Sequence, residues 1–287
     1  MEVLRTEKIS FIYSPGTPFE KVAIDNVSLS VNKGEFIGII GHTGSGKSTL
    51  VQHFNGLLKP TSGKVFVEGV DIHQKGVKLR DIRFKVGLVF QYPEHQLFDE
   101  TVYKDIAFGP TNMGLDAKEI DRRVQYAAEF TGLSKALLEK SPFDLSGGEK
   151  RRAAIAGVIA MQPSILILDE PTAGLDPAGR EELLEQINEY RRQTGTTVLL
   201  VSHSMEDIAA HTTRVLVMNK GKVEFFDTPD GVFEHSQELL NIDLEIPEVT
   251  KTFHLLKKMG MPVKTNVFTV EEAAKQLEQL LAEVRGC

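Results

Sequence analysis

Three glycines followed by a lysine and a serine define the first chemistry open to this chain. They lie in Gly41-His42-Thr43-Gly44-Ser45-Gly46-Lys47-Ser48-Thr49, where four residues separate Gly41 from Gly46 and Lys47-Ser48 follow at once. Such a run lets backbone N–H groups wrap a polyphosphate, with Lys47 reaching the β- and γ-phosphates and the Ser48 hydroxyl ligating Mg²⁺. A second group is Asp169-Glu170, two adjacent carboxylates that repel each other unless a cation sits nearby. Asp169 suits the shell of that cation and Glu170 suits a base that polarises water. Gln91 is placed to reach Mg²⁺ or the attacking water, or else is a plain polar residue at a strand end. His203 follows a strand, where a histidine is either a hydrogen-bonded structural residue or a group facing a γ-phosphate.

The elements that must position these residues are legible around them. Phe36–Ile40 is apolar enough for a fully buried strand and residues 49–55 have helical character, so the glycines sit in a strand-turn-helix. In that setting the helix N-terminus adds positive potential to the loop. Val86–Phe90, Ile165–Leu168 and Thr197–Val201 read as further buried strands, ending in Gln91, Asp169-Glu170 and Ser202-His203 respectively. The functional ends of these strands are expected on one edge of a parallel sheet, where ligands bind in α/β folds.

Ahead of the loop, Val3 to Val31 reads as a small antiparallel β-layer turned at Ser14-Pro15-Gly16-Thr17-Pro18, with Lys64 to Glu68 as another strand. Tyr13 ends its first strand, and its ring either stacks on a base or packs on the core. From residue 101 to residue 162 helical signals replace strand signals, including Ala117–Phe130 with Asp116 as N-cap and Gly132 at its C-terminal end. Within that stretch Ser146-Gly147-Gly148-Glu149 opens a helix whose free N–H groups make either a second anion site or an ordinary N-cap. The segment Tyr92–Phe98 is rich in aromatic and apolar residues for a loop and reads as a docking surface or as core folded under. Ala178 to Thr194 reads as a helix, and Val215–Met218 and Lys222–Phe226 as a hairpin through Asn219-Lys220-Gly221. Beyond Glu234 the pattern changes to helices at Val249–Met259 and after the capping box Thr269-Val270-Glu271-Glu272. Ala273, Leu277, Leu280, Leu281 and Val284 form an apolar stripe there, expected to pack on the main domain or on a second subunit.

Composition narrows the function. With 287 residues, of which 41% are hydrophobic, the chain can bury a sizeable core. A formal net charge of −7 gives no support for a nucleic-acid partner. No apolar run approaches the roughly 20 residues that span a bilayer, and the first residues lack a secretory apolar segment, so a cytoplasmic protein is expected. The single cysteine, Cys287, can form no intrachain disulfide and is assigned no role. No internal repeat or low-complexity segment is present.

Gly41–Thr49, Gln91, Leu145-Ser146-Gly147-Gly148, Ile165–Glu170, Asp176 and His203, in this order, resemble the ATP-binding subunit of ATP-binding-cassette (ABC) transporters over about residues 1–235. The resemblance implies an α/β fold: a P-loop nucleotide-binding domain with an antiparallel β subdomain and a helical subdomain at about residues 92–162. Residues 236–287 would form a small helical C-terminal dimerisation domain. It also implies an ATPase that uses ATP and Mg²⁺, with Glu170, His203 and Gln91 catalytic and Ser48, Gln91 and Asp169 on the metal. Tyr13 and Gly41, His42, Thr43, Gly44, Ser45, Gly46, Lys47, Ser48 and Thr49 would hold ATP. Two such domains would pair head to tail, Ser146, Gly147, Gly148, Glu149 and Asp176 of one meeting the nucleotide of the other. Glu149 stands where the family often has Gln, and Ala173-Gly174 departs from the small-residue pair often seen before Leu-Asp.

Pro15–Glu20, Phe90–Phe98, Ile246–Val249 and Phe268–Glu272 look more closely like the ATPase subunits of energy-coupling-factor (ECF) transporters, which import vitamins or transition-metal ions, and most like the second of their two ATPase types. Implied partners are a second ABC ATPase, preferably a different chain though a homodimer is possible, and integral membrane subunits, at the cytoplasmic face of the membrane. Other readings are the ATPase of another ABC transporter class, a soluble ABC protein, or a P-loop kinase or GTPase. A kinase or GTPase should lack the Ser-Gly-Gly helix start and His203, and a soluble ABC protein usually carries two cassettes or coiled coils.

Overall fold

A computed structural model describes residues 1–285, with side chains to Ala282, so Cys287 and the Val284 side chain lie outside the described residues. The chain runs β1 (Glu2–Tyr13), β2 (Lys21–Asn32), β3 (Phe36–Ile40), α1 (Lys47–Phe54), β4 (Ser62–Val67), β5 (Val70–Asp71), α2 (Leu79–Lys85) and β6 (Val86–Val89). A 3₁₀ turn, Pro93–Gln96, then leads into α3 (Val102–Asn112), α4 (Ala117–Phe130), α5 (Lys135–Leu138) and α6 (Gly147–Ile159). The chain continues with β7 (Ile165–Asp169), α7 (Pro177–Thr194), β8 (Thr197–Val201), α8 (Met205–His211), β9 (Arg214–Asn219) and β10 (Lys222–Asp227). Four helices close the chain: α9 (Pro229–Phe233), α10 (Ser236–Asn241), α11 (Glu248–Lys258) and α12 (Val270–Arg285).

The strands form two sheets. A four-stranded antiparallel layer has the order β2-β1-β4-β5, and a six-stranded sheet has the order β10-β9-β3-β8-β7-β6. In the larger sheet only β10 is antiparallel; β3, β8, β9, β7 and β6 run parallel. Every residue of β3, β7 and β8 is buried, because layers cover both faces of the sheet. Successive side chains sort to opposite faces. Ile37, Ile39, Ile165, Ile167, Leu199 and Val201 pack with α1 and the antiparallel layer, whereas Phe36, Ile40, Leu166, Leu168, Val198 and Leu200 pack with α3, α4, α6 and α7. Each such fully buried aliphatic side chain contributes about 1.5–3 kcal/mol relative to exposure. The sheet is thereby a rigid platform whose strand ends hold their positions.

The helical stretch is laid over this platform as the caps direct. Asp116 accepts from the Glu119 N–H at the start of α4, whose end is closed by Gly132 at φ +70°. That conformation carries almost no cost for glycine. Short elements escape the strand and helix periodicities: the two-residue β5, the seven-residue α2, which buries only Ile82, and the short helices α8, α9 and α10. The helix at the Gly41–Thr49 loop begins at Lys47, two residues before the periodicity starts.

The C-terminal stripe packs differently from the sequence expectation. Ala273, with Leu277 and Leu280 beside it, closes on Phe253, Val263 and Val267 in a small cluster of its own, and Leu281 stays exposed. Attachment to the main core falls instead to Leu239, Leu244, Ile246 and Phe268, with the Phe268 ring 5.5 Å from Phe233. The packing of α12 with α11 and the segment between them satisfies the stripe locally, which periodicity alone cannot distinguish from packing on another surface.

Candidate nucleotide site

The Gly41–Thr49 loop is built by close backbone approaches that exclude side chains. A Cβ at Gly46, whose φ is +107°, would come within 2.5 Å of the Ala23 carbonyl oxygen, and one at Gly41 within 2.4 Å of the Met218 carbonyl oxygen. The loop is therefore clamped between β2 and the end of β9. Gly46→Ala is expected to destabilise the protein by roughly 1–3 kcal/mol through backbone strain alone, with the clash adding to it. Urea denaturation of the variant beside the parent checks this.

Lys47 is buried and its Nζ donates to the Gly41 carbonyl at 2.6 Å and to the His42 carbonyl at 3.2 Å. Burial lowers its pKa, while the nearby charges of Glu170 and Asp169 act in the opposite direction. His42 is steadied by its own ring, with Nε2 3.2 Å from Asn219 Oδ1 and Nδ1 2.9 Å from the Thr43 carbonyl. Ser45 is fully buried and its Oγ has no hydrogen-bond partner among the described residues. Thr43 and Gly44 remain exposed at the rim of the loop.

The carboxylate pair divides into two environments. Asp169, the last residue of β7, is buried; its pKa is raised by burial, drawn back by the nearby Ser48 hydroxyl, and raised again by the Glu170 charge. Hydroxyl and carboxylate oxygens converging beside Lys47 are hard donors of the kind Mg²⁺ takes. They fit the ion as a partial shell, since no cluster of three His, Cys, Asp or Glu able to hold a metal exists among the described residues.

Glu170 leaves the strand with φ +52°, a left-handed conformation uncommon for a residue with a side chain. Such strain of about 1–3 kcal/mol persists only where the surroundings impose it. Its amide donates to the Val201 carbonyl on β8 at 3.0 Å, and its two carboxylate oxygens are each engaged. Gln91 Nε2 donates to Oε2 at 3.0 Å, and His203 Nε2 lies 2.8 Å from Oε1. Three residues drawn from the ends of three adjacent parallel strands, β6, β7 and β8, thus meet in one hydrogen-bonded group.

Tyr13 lies along α1. Its hydroxyl is 3.2 Å from Thr49 Oγ1, its ring meets Phe11 edge to face at 4.8 Å, and it is 40% exposed. Part of the Tyr13 side chain is therefore open to solvent beside α1.

The Ser146 helix start stands apart from this group. Ser146 caps α6 in a reciprocal arrangement: the Glu149 carboxylate accepts from the Ser146 amide at 2.8 Å and from its hydroxyl at 2.7 Å. These bonds hold the exposed Glu149 carboxyl below its usual range. Cβ atoms at Gly147 and Gly148 would meet nothing within 4 Å, so that surface is open. Asp176 caps α7, accepting from the Gly179 amide at 2.7 Å, and is itself exposed. The site thus comprises one clustered set, Gln91, Asp169, Glu170, His203 and the loop, and one outward-facing set, Ser146–Glu149 and Asp176. One residue that periodicity does not reveal is Arg151, which sits in the charged run Glu149-Lys150-Arg151-Arg152 yet is only 9% exposed.

The model of the ABC transporter family matches residues 24–173. The energy-coupling factor transporter ATP-binding protein EcfA2 of Caldanaerobacter subterraneus subsp. tengcongensis is 53% identical over 283 residues, covering 99% of this chain and 98% of its own length. The EcfA2 protein of Clostridium tetani is 54% identical over 275 residues, 96% of each. Among solved structures, cbiO1 from Clostridium perfringens, described as part of the ABC transporter complex cbiONQ, superposes with a TM-score of 0.75 at 37% identity over 89% of this chain and 99% of that one. The dimeric bacterial ABC transporter cassette MJ0796 superposes with a TM-score of 0.72 at 27% identity, over 79% of this chain and 98% of its own. The loop clamped between β2 and β9, the strand-end group around Glu170 and these full-length similarities agree: the chain is an ABC ATPase and belongs to the energy-coupling factor transporter ATP-binding proteins.

Proposed function

We propose that this chain hydrolyses Mg²⁺-bound ATP, with Glu170 as general base, in a site that a second cassette completes, and that it thereby energises an ECF-type importer of vitamins or transition-metal ions. The observation that carries the reading is the strand-end group. Glu170 is oriented by Gln91 and His203 on either side and stands within the field of Lys47. Loop N–H groups and Lys47 bind the β- and γ-phosphates, and Tyr13 offers its ring to the adenine. Ser48, Asp169 and Gln91 would hold Mg²⁺, which when bound neutralises phosphate charge. The oxygen of a water attacks the γ-phosphorus, the bond to the β–γ bridging oxygen breaks, and Glu170 takes the proton the water loses. His203 faces the γ-phosphate and reports its presence.

Ser146, Gly147, Gly148 and Asp176 face outward, and no hydrogen bond among the described residues joins them to the Gly41–Thr49 loop. They therefore suit the nucleotide of a partner, which we take to be a different ABC ATPase in preference to a second copy. Residues 236–287 would add to that pairing. Binding of two ATP closes the pair because each γ-phosphate bridges both chains, and hydrolysis removes the bridge.

Beside Gln91, the apolar side chains Tyr92, Phe98 and Phe108 are half-exposed or more, the last two edge to face at 5.0 Å. An exposed aromatic patch of this kind suits an apolar segment of an integral membrane subunit. No helix among the described residues is long and apolar enough to cross a membrane, so the chain would bind peripherally to such subunits, at the cytoplasmic face. Nucleic acid is not among the proposed partners. The membrane-embedded binding subunit, not this chain, would choose the solute.

Purification of a tagged form from solubilised membranes of cells that express it beside its native neighbours tests the reading. A second cassette ATPase and integral membrane proteins are expected to co-purify. Recovery of soluble partners alone, with the chain absent from the membrane fraction, would overturn it.

A further inference from the structure

Arg151 lies one turn into α6, behind Ser146, and is buried although its side chain carries a charge. Burying a guanidinium requires compensation by a charge or by several hydrogen bonds. Here the compensation is incomplete and divided between two loops. Nη1 donates to the Ala173 carbonyl at 2.7 Å, whereas Nη2 is 4.0 Å from Oε2 of Glu94 in the 3₁₀ turn. Arg151 Nε, Glu94 Oε2 and Gln96 Oε1 are all buried without a hydrogen-bond partner among the described residues. Ala173 is held at its other end too, its amide donating to the Glu170 carbonyl at 3.2 Å. A continuous line thus runs from Glu94 through Arg151 and Ala173 to Glu170, parallel to the direct bond between Gln91 and Glu170.

We propose that Arg151 is a positioning residue that ties the Pro93–Gln96 turn to the loop between Glu170 and Asp176, so that a displacement of the turn is felt at that loop. The pair with Glu94 is half made. A charge-assisted bond closes at about 2.8 Å, and a guanidinium presents a planar fork to a carboxylate. A shift of the turn by roughly 1 Å toward α6 is enough to satisfy the free Glu94 oxygen through Nη2, on the same rigid guanidinium whose Nη1 holds the Ala173 carbonyl. A cleft of about 60 Å³ lined by Gly148, Arg151, Arg152, Leu175 and Gly179 leaves room for the side chain to adjust. One rigid side chain bridging both loops lets the position of the turn bear on the loop after β7. The inference rests on the assignment of Gln91–Phe98 as the docking segment and of Asp176 as a cross-interface residue.

The test uses the full chain alone first. Hydrogen exchange at the amides of residues 172–176 is expected to speed up about tenfold in Arg151→Met, which keeps the volume and removes every donor. In Glu94→Gln, whose side chain makes no hydrogen bond or ion pair with those residues, exchange there is expected to change about threefold, and the double variant is expected to match Arg151→Met. Arg151→Lys, which keeps the charge and a single donor nitrogen, should restore most of the protection and separates this role from a folding defect. Unchanged exchange at 172–176 in Glu94→Gln, or a double variant equal to the product of the two singles, would overturn the proposal. ATPase rates with and without the membrane subunits then test the reading beneath it. A wild-type rate indifferent to those subunits would tell against the docking segment, whereas the exchange result needs no partner and decides Arg151 independently.

Discussion

Glu170→Gln is expected to bind ATP as the parent does and to lose turnover by about two to four orders of magnitude, the range that a positioned general base supplies. The substitution preserves the volume of the side chain and its left-handed backbone, and leaves the Gly41–Thr49 loop untouched. What it removes is the proton acceptor. It also replaces one carboxylate oxygen by an amide NH₂, which against Gln91 Nε2 sets two donors face to face and against His203 Nε2 demands the tautomer in which that nitrogen accepts, so one of the two orienting contacts is lost or inverted. Equilibrium binding of a fluorescent ATP analogue and steady-state phosphate release separate the two properties. Wild-type turnover in this variant would refute the base assignment, and loss of ATP binding would place Glu170 in the binding surface instead.

Ser146→Arg is the complementary test, because it is expected to spare the chain's own ATP and to abolish ATP-driven pairing. The side chain of Ser146 lies on an open surface where Cβ atoms at the next two residues meet nothing, so a long cationic side chain fits the isolated chain. Two losses must be distinguished. Removing the cap costs about 0.5–2 kcal/mol of helix stability, since the Ser146 hydroxyl no longer serves the Glu149 amide or its carboxylate. Ser146→Ala has that cost without the bulk, and is expected to weaken pairing far less. Size-exclusion chromatography with ATP, in a Glu170→Gln background that holds the nucleotide unhydrolysed, reads the paired fraction for each. Normal ATP-driven dimerisation of Ser146→Arg would show that this helix start meets no partner.

The Glu149 carboxylate has a local role in this picture. It completes the reciprocal cap that a Gln carbonyl would also complete, so the departure from the residue often found in related cassettes leaves the helix start intact. What changes is the charge beside Ser146, which lies on the side where a partner's nucleotide would approach.

Much of this protein was legible in its amino-acid order, for a physical reason. Binding a polyphosphate demands several consecutive N–H groups, so Gly41–Thr49 had to be contiguous, and a strand buried on both faces must be apolar throughout, so β3, β7 and β8 announce themselves. The carboxylates and His203 follow those runs directly, and from this their meeting at one sheet edge could be expected. Helix caps such as Asp116 and Ser146 are equally local. Other features depend on segments far apart in the chain. Gln91 and Glu170 are 79 residues apart, and only the parallel pairing of β6 with β7 brings them to 3.0 Å. The left-handed backbone of Glu170 follows from its amide bond to β8, not from its residue type. The stripe on α12 reads the same whether it faces the main domain, a partner or α11, and the return of the chain at residues 260–268 selects α11. Arg151 shows the limit most plainly. In a run of four charged residues it reads as solvated surface, and it becomes a buried link between Glu94 and Ala173 only because the 3₁₀ turn and the loop after β7 close over the same face of α6. Periodicity encodes which face a helix buries, whereas the identity of what covers that face is a property of the tertiary structure.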